Sequence, residues 1–308
     1  MMRYNVTILI LALLLIASPC FADRLFTEVT GSRDSDDATW IEALAGYGKL
    51  FDSLGGTELE LAGGINRYAE NGDDESFDTA RLRLLTPAEN KWRLIVSCRL
   101  LDGDDWSPTL PAATYTNKLG NKWYVELSAE RSLVDSLSAI RNHIDVDSYV
   151  ASADYRVNDS WTLVGAFIDQ EFGDDNRKVG GIARVIYSLQ RWPGLNLQLK
   201  GRLLNADEDS PHYFSPETLL EGFLLLGYAT PFADDNWVIK LLAGPGVQRI
   251  EPFSGETKTK DAYLGEVQLR GWFNDNTQLV SRIGCTSAQE TSAAYSYCYG
   301  KMELGYVW

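Results

Sequence analysis

Along most of the chain apolar and polar residues alternate with a period of two, in runs of roughly ten residues bounded by Gly, Asn, Asp or Pro. The run from Leu195 to Leu203 is the cleanest. Leu195, Leu197, Leu199, Gly201 and Leu203 fall on one face, with Asn196, Gln198, Lys200 and Arg202 on the other. Trp123 to Glu130 repeats the pattern, as do Gly265 to Gly271 and Ala80 to Leu84. Successive side chains of a strand point to opposite faces, so each run predicts a strand with one apolar and one polar side. About ten residues suffice for a tilted strand to cross hydrocarbon, and the chain divides into about sixteen such runs, an even number. The pattern predicts an all-β fold, a transmembrane antiparallel up-and-down β-barrel.

The connections sort into two alternating kinds. Pro193-Gly194, Asp234-Asp235 and Asn274 to Asn276 are short, whereas Leu133 to Asp145, Asn205 to His212, Pro252 to Asp261 and Ala288 to Ala293 are longer and mostly acidic. Outer-membrane barrels have this asymmetry, with tight periplasmic turns and long external loops. Seven of the nine Trp residues fall beside the short turns: Trp92, Trp123, Trp161 and Trp237 open strands, while Trp192, Trp272 and Trp308 close them. Indole favours the headgroup level, so one rim carrying Trp reads as an interfacial girdle. The competing reading, Trp filling the end of a soluble β core, does not explain why they are locked to the short turns. The final strand alternates as well, with Cys298, Met302, Leu304, Tyr306 and Trp308 against Lys301 and Glu303. It is expected to close the ring by pairing with the first strand, around Leu25 to Ser32, because an open edge in lipid leaves backbone groups unsatisfied. Trp308 resembles the terminal aromatic that the outer-membrane assembly machinery reads.

At the other end, Arg3, the apolar run Val6 to Ala17 and a small residue at Ala22 predict a signal peptide over residues 1–22, leaving 23–308 as the barrel. The expected location is the outer membrane of a Gram-negative bacterium, with outer-membrane lipid as the surrounding partner. A net charge of −15 argues against nucleic acid, whose phosphates call for Lys and Arg. It favours cationic or neutral cargo over anionic cargo. An oxidising compartment permits a disulfide, and pairing Leu279 with Leu304 would set Cys285 opposite Cys298. The alternative is two small apolar residues facing lipid. Cys98 is left single.

Little in the chain suggests chemistry. The two His residues, His143 and His212, lie in loops, and neither a nucleophile-base pattern nor a zinc-ligand spacing surrounds them. Acidic stretches at Gly72 to Glu75 and Asn205 to Asp209 match no calcium-loop pattern and read better as solvated faces. No catalytic residue, metal or cofactor is expected. The charges of interest are those that alternate inward: Arg81, Arg83, Arg93, Arg99, Glu126, Glu130, Lys200, Arg202, Glu221, Lys240, Glu266, Arg270, Arg282, Lys301 and Glu303. Facing lipid near the midplane, an Arg or Lys costs about 2–4 kcal/mol, so a wet lumen is their place. There they either pair as a structural ladder or line a path.

A short motif narrows the choice. His212-Tyr213-Phe214-Ser215-Pro216-Glu217 leads into a strand, and Asn236-Trp237 and Ala243-Gly244-Pro245-Gly246-Val247-Gln248 follow. This resembles the Tyr-Phe-Ser-Pro stretch and succeeding strands in the C-terminal barrels of bacterial exopolysaccharide exporters, the cellulose-synthase-operon export subunit and the poly-N-acetylglucosamine export porin. The motifs cover about the last third of the chain and the strand pattern covers the rest. The resemblance implies a non-enzymatic channel for a growing polysaccharide. In those families a periplasmic tetratricopeptide-repeat region precedes the barrel; here the expected partner is a separate repeat protein or the synthase. Tyr213 and Phe214 are the candidate glycan contacts, since aromatic faces stack on sugars. The alternative function is a general diffusion porin for small solutes, with an outer-membrane enzyme third.

Overall fold

The computed structural model describes residues 23–35, 37–51, 55–87, 91–287 and 296–308. The expected signal peptide and the loop from Ala288 to Ala293 lie outside the described residues. Sixteen strands follow in order: β1 (Asp23–Asp34), β2 (Thr39–Phe51), β3 (Thr57–Glu70), β4 (Asp73–Leu85), β5 (Trp92–Asp102), β6 (Thr109–Leu119), β7 (Trp123–Leu133), β8 (Asp145–Arg156), β9 (Trp161–Phe172), β10 (Arg177–Ser188), β11 (Leu195–Ala206), β12 (Thr218–Phe232), β13 (Trp237–Glu251), β14 (Lys258–Trp272), β15 (Thr277–Thr286) and β16 (Tyr297–Val307). One short helix, α1 (Leu137–Arg141), sits between β7 and β8. Each strand pairs antiparallel with its chain neighbours, and β16 pairs with β1, Leu25 opposite Tyr306 and Glu28 opposite Glu303. The ring is closed, and no ladder is left open to lipid.

The register carries one face round the wall without a break. Lys301 lies opposite Arg282, Arg282 opposite Gln268, and Gln268 opposite Lys240. On this face polar groups are covered: Glu28, Glu60 and Gln248 are 3%, 1% and 0% exposed. On the other face the apolar residues stand open, with Leu199, Leu224 and Ile283 at 61%, 59% and 59%. That distribution inverts a soluble protein's. Leaving so many Leu and Ile side chains in water would forfeit roughly 1.5–3 kcal/mol each, so hydrocarbon is the medium that suits this surface.

Two of the rings that point inward lie over glycine. The ring of Phe26 occupies the space a Cβ on Gly46 would need, and Phe223 does the same over Gly246. The girdle forms from paired rings: Trp123 with Tyr155 at 4.5 Å, Trp161 with Tyr187 at 4.7 Å and Trp237 with Phe273 at 4.9 Å. Cys285 and Cys298 are opposite each other on the outward face and form a disulfide, which settles the two readings left open by their spacing. Cys98 is free and shares the outward register of Leu100 and Val96.

Candidate functional site: the lumen and its mouth

All fifteen sequence-derived lumen candidates sit on the inward register. Arg81 and Arg83 are on β4, Arg93 and Arg99 on β5, and Glu126 and Glu130 on β7. Lys200, Arg202 and Glu221 come from β11 and β12, and Lys240, Glu266 and Arg270 from β13 and β14. Arg282, Lys301 and Glu303 close the set on β15 and β16.

Across β1–β5 and β16 these groups form a ladder, three of whose carboxylates, Glu28, Glu42 and Glu60, the candidate set did not contain. Glu28 accepts from Arg81 at 2.9 Å and pairs with Lys301 at 3.1 Å. Glu42 accepts from Arg99 at 3.1 Å and from the amide of Asn66, whose oxygen takes the indole N–H of Trp40 at 2.8 Å. Glu60 is held by Arg83 at 2.6 Å and Arg24 at 3.1 Å, and Arg24 also pairs with Glu303. The guanidinium groups of Arg24 and Arg81 lie 5.2 and 5.7 Å from the centre of the Phe26 ring. Charges this covered need such partners, because an unpaired one would bear its whole desolvation cost. Of these, Glu28 was legible from the alternation of Arg24, Phe26 and Glu28 along β1, a strand read only for its pairing.

The opposite wall is organised differently. Glu221 accepts from Arg202 at 2.5 Å and from Gln248 at 3.2 Å. Glu266 accepts from Arg282 at 2.6 Å, Tyr299 at 2.5 Å and Gln268 at 2.7 Å. Beside them a cavity of about 390 Å³ is lined by Arg184, Lys200, Lys240, Glu266 and Arg282 among others. Arg184 was absent from the candidate set. Its run, Val179 to Tyr187, is apolar on both sides of it, so alternation gave no direction there.

The mouth holds the least expected feature. The connection 134–144 folds inward. Leu137 and Ile140 of α1 pack with the inward-facing Tyr68, Phe77 and Leu110, and Val134, Ala139 and Ile144 pack with Val146 and Phe172. The loop reaches the far side of the ring: Ser32 on β1 and Tyr297 on β16 donate to Asp135 at 3.0 and 3.1 Å, seven and eight places round from β8. Laterally, Arg141 pairs with Asp73 and Glu75 at 2.9 and 3.1 Å. Burial raises the pKa of Asp135 above the usual carboxylate range, the hydroxyls of Ser32 and Tyr297 draw it back down, and Asp34 pushes it up. The solvent this residue still meets at the mouth moderates the shift.

The loop after β11 leans on this bridge. Ser136 donates to the carbonyl of His212 at 2.6 Å, and Tyr213 stacks on Phe172 at 4.4 Å while donating to Asp174 at 2.8 Å. Tyr213 and Phe214 both line a cavity of about 880 Å³ at the mouth. One face of the Tyr213 ring is occupied by Phe172; it is no bare loop tip. Ser138 and Asn142 both meet Nδ1 of His212, at 2.9 and 3.3 Å. A base must be held on one nitrogen and reach its nucleophile with the other, so this trio is not a triad. Among the described residues no cluster of three or more His, Cys, Asp and Glu is placed to hold a metal ion.

In fold the chain matches a protein described as a bacterial polysaccharide outer membrane secretin, with a TM-score of 0.68 at 12% identity, over 92% of this chain and 98% of that one. This is an outer-membrane barrel fold. CdiB from Acinetobacter baumannii gives 0.52 at 9% identity, over 92% of this chain and 60% of its own. OccK11 from Pseudomonas aeruginosa gives 0.45 at 9% identity, over 93% and 95%. None of the three is described as an enzyme. No family model matches the chain, and no curated protein matches it.

Proposed function

We propose that the protein is an outer-membrane channel through which an exopolysaccharide, a biofilm-matrix or cellulose-like polymer, leaves the cell. One observation carries this reading: a closed wall of sixteen strands, apolar outside and charged within, shares its fold with a polysaccharide outer membrane secretin. A barrel of this strand number encloses enough space for an aqueous path. The chain does no chemistry on its cargo, which moves by diffusion or is pushed by the synthase. A separate periplasmic repeat protein or the synthase delivers the polymer, and the outer-membrane assembly machinery inserts the barrel. At the mouth, Tyr213 and Phe214 contact sugar faces.

A deletion strain complemented with wild-type protein or with the Tyr213→Ala, Phe214→Ala double variant tests both statements. The deletion should abolish secreted polymer, and the variant should lower it several-fold with the folded barrel still present in the outer membrane. Normal secretion from the deletion strain would end the export reading; normal secretion from the variant would remove these two side chains from it. The bridge across the mouth favours a second reading, a diffusion porin for small solutes, because it divides the opening. That reading predicts open-channel conductance in planar bilayers and unchanged polymer secretion in the deletion strain.

A further inference from the structure

The net charge of the chain is −15, yet one stretch of the inner wall carries the opposite sign. In the 390 Å³ cavity, Arg184, Lys200, Lys240 and Arg282 face a single carboxylate, Glu266. Glu266 is already engaged by Arg282 and by the hydroxyl of Tyr299. Among the described residues no carboxylate lies within ion-pair distance of Arg184, Lys200 or Lys240; Glu221, across the next strand, is taken by Arg202. More telling is the register. Arg184 and Lys200 are direct cross-strand partners. Like charges directly opposite on an antiparallel pair are destabilising; two other such pairs on this wall, Arg81 with Arg99 and Arg282 with Lys301, have carboxylates in ion-pair contact, and this one has none. The Nε of Arg184 is buried and has no hydrogen-bond partner. Asn196, Gln198 and Gln268 line the same cavity and add neutral polar groups. Lys240 stands three residues from Trp237 at the short-turn rim, so the cavity lies toward the periplasmic entrance.

We propose that this cavity is an anion-binding station, and that the cargo is an acidic polysaccharide whose sugar carboxylates it receives. Four cations and one carboxylate around a wet recess, with Asp154 two strands from Arg184 on the same face, leave an excess of positive charge that suits a succession of carboxylates spaced along a polymer, each exchanging water and neighbours as the chain advances. A neutral glucan gives them nothing to pair with, and a cationic one is repelled. The charge of the whole chain pointed to cationic or neutral cargo because most of its carboxylates lie in external loops or are matched by arginine. This proposal rests on the export reading for its direction of transport, but its test does not.

The full-length protein, folded in detergent, is titrated calorimetrically with tetramannuronate, cellotetraose and the free-amine chitotetraose. Binding of tetramannuronate alone is expected, weakening as salt rises from 50 to 300 mM, since the Debye length shortens from roughly 14 to 6 Å. The Arg184→Gln, Lys200→Gln, Lys240→Gln variant should lose roughly tenfold or more in affinity. Lys240→Gln alone, which leaves the cross-strand pair intact, should lose part of that, and heat-modified gel mobility reports that both variants are folded. Equal binding of the neutral and acidic tetrasaccharides overturns the proposal, as does a triple variant that binds like wild type. Secretion by the deletion strain bears on export and leaves this result standing.

Discussion

At the scale of single residues, the inner wall separates into charges that hold structure and charges that are free to meet cargo. Arg81 and Glu28 belong to the first kind, with side chains 7% and 4% exposed and a bond of 2.9 Å between them. Removing one partner strands the other in a covered position, whereas removing both removes the debt. Arg81→Ala is therefore predicted to lower stability by about 3–5 kcal/mol, softened by the Lys301 that remains on Glu28. The paired change Arg81→Leu, Glu28→Leu should recover most of the loss. Urea unfolding followed by gel mobility in a double-mutant cycle checks it, and additive losses would place the pair outside the structural ladder. Arg184, Lys200 and Lys240 in the 390 Å³ cavity should behave oppositely, costing little stability and much binding when neutralised.

Among the elements, the connection 134–144 is the one that gives the barrel a conformational choice. Its near end rests on an apolar cluster, while its far end hangs on the two hydroxyls that reach Asp135. Since burial raises the pKa of Asp135, the anchored position prefers the neutral carboxyl. The anchor is then fully strengthened below the ordinary value of 3.8 and weakens as pH rises through the raised one. Conductance in planar bilayers is expected to fall on acidification from pH 7 to 4, and Asp135→Asn should flatten that response. A response unchanged in Asp135→Asn would assign it to other groups. The inward fold of this segment was not legible as such. Leu137, Ile140 and Ile144 recur at helical spacing within a connection otherwise read as external and acidic, and a segment of eleven residues gives no indication of which wall it will meet. The strands were legible because each must solve the same two-sided problem, lipid on one face and water on the other. Arg184 escaped because its own strand is apolar on both faces around it, and Asp135 because its partners, Ser32 and Tyr297, lie far away in sequence.

For the molecule as a whole, the decisive quantity is which medium each face meets, and adjacent residues on one strand can measure it. Leu127 points outward and is 53% exposed, while Ser128 points inward with Glu126 and Glu130 as its same-face neighbours. Placed on the outer face near midplane, a guanidinium has only hydrocarbon around it; placed one residue further along, it has two carboxylates within a pleat. Leu127→Arg should therefore destabilise the membrane-inserted barrel by about 2–4 kcal/mol, and Ser128→Arg should be close to neutral. The difference is a property of the membrane. In a soluble β protein of the same topology the inward substitution would be the costly one, because a packed core would have to accept the charge. Reversible unfolding of the two variants in lipid vesicles, compared at equal protein-to-lipid ratio, reads the sign directly. A larger loss for Ser128→Arg than for Leu127→Arg would mean that the apolar face is not in hydrocarbon, and the lumen with its ladder, bridge and cationic recess would have to be read as the outside of some other assembly.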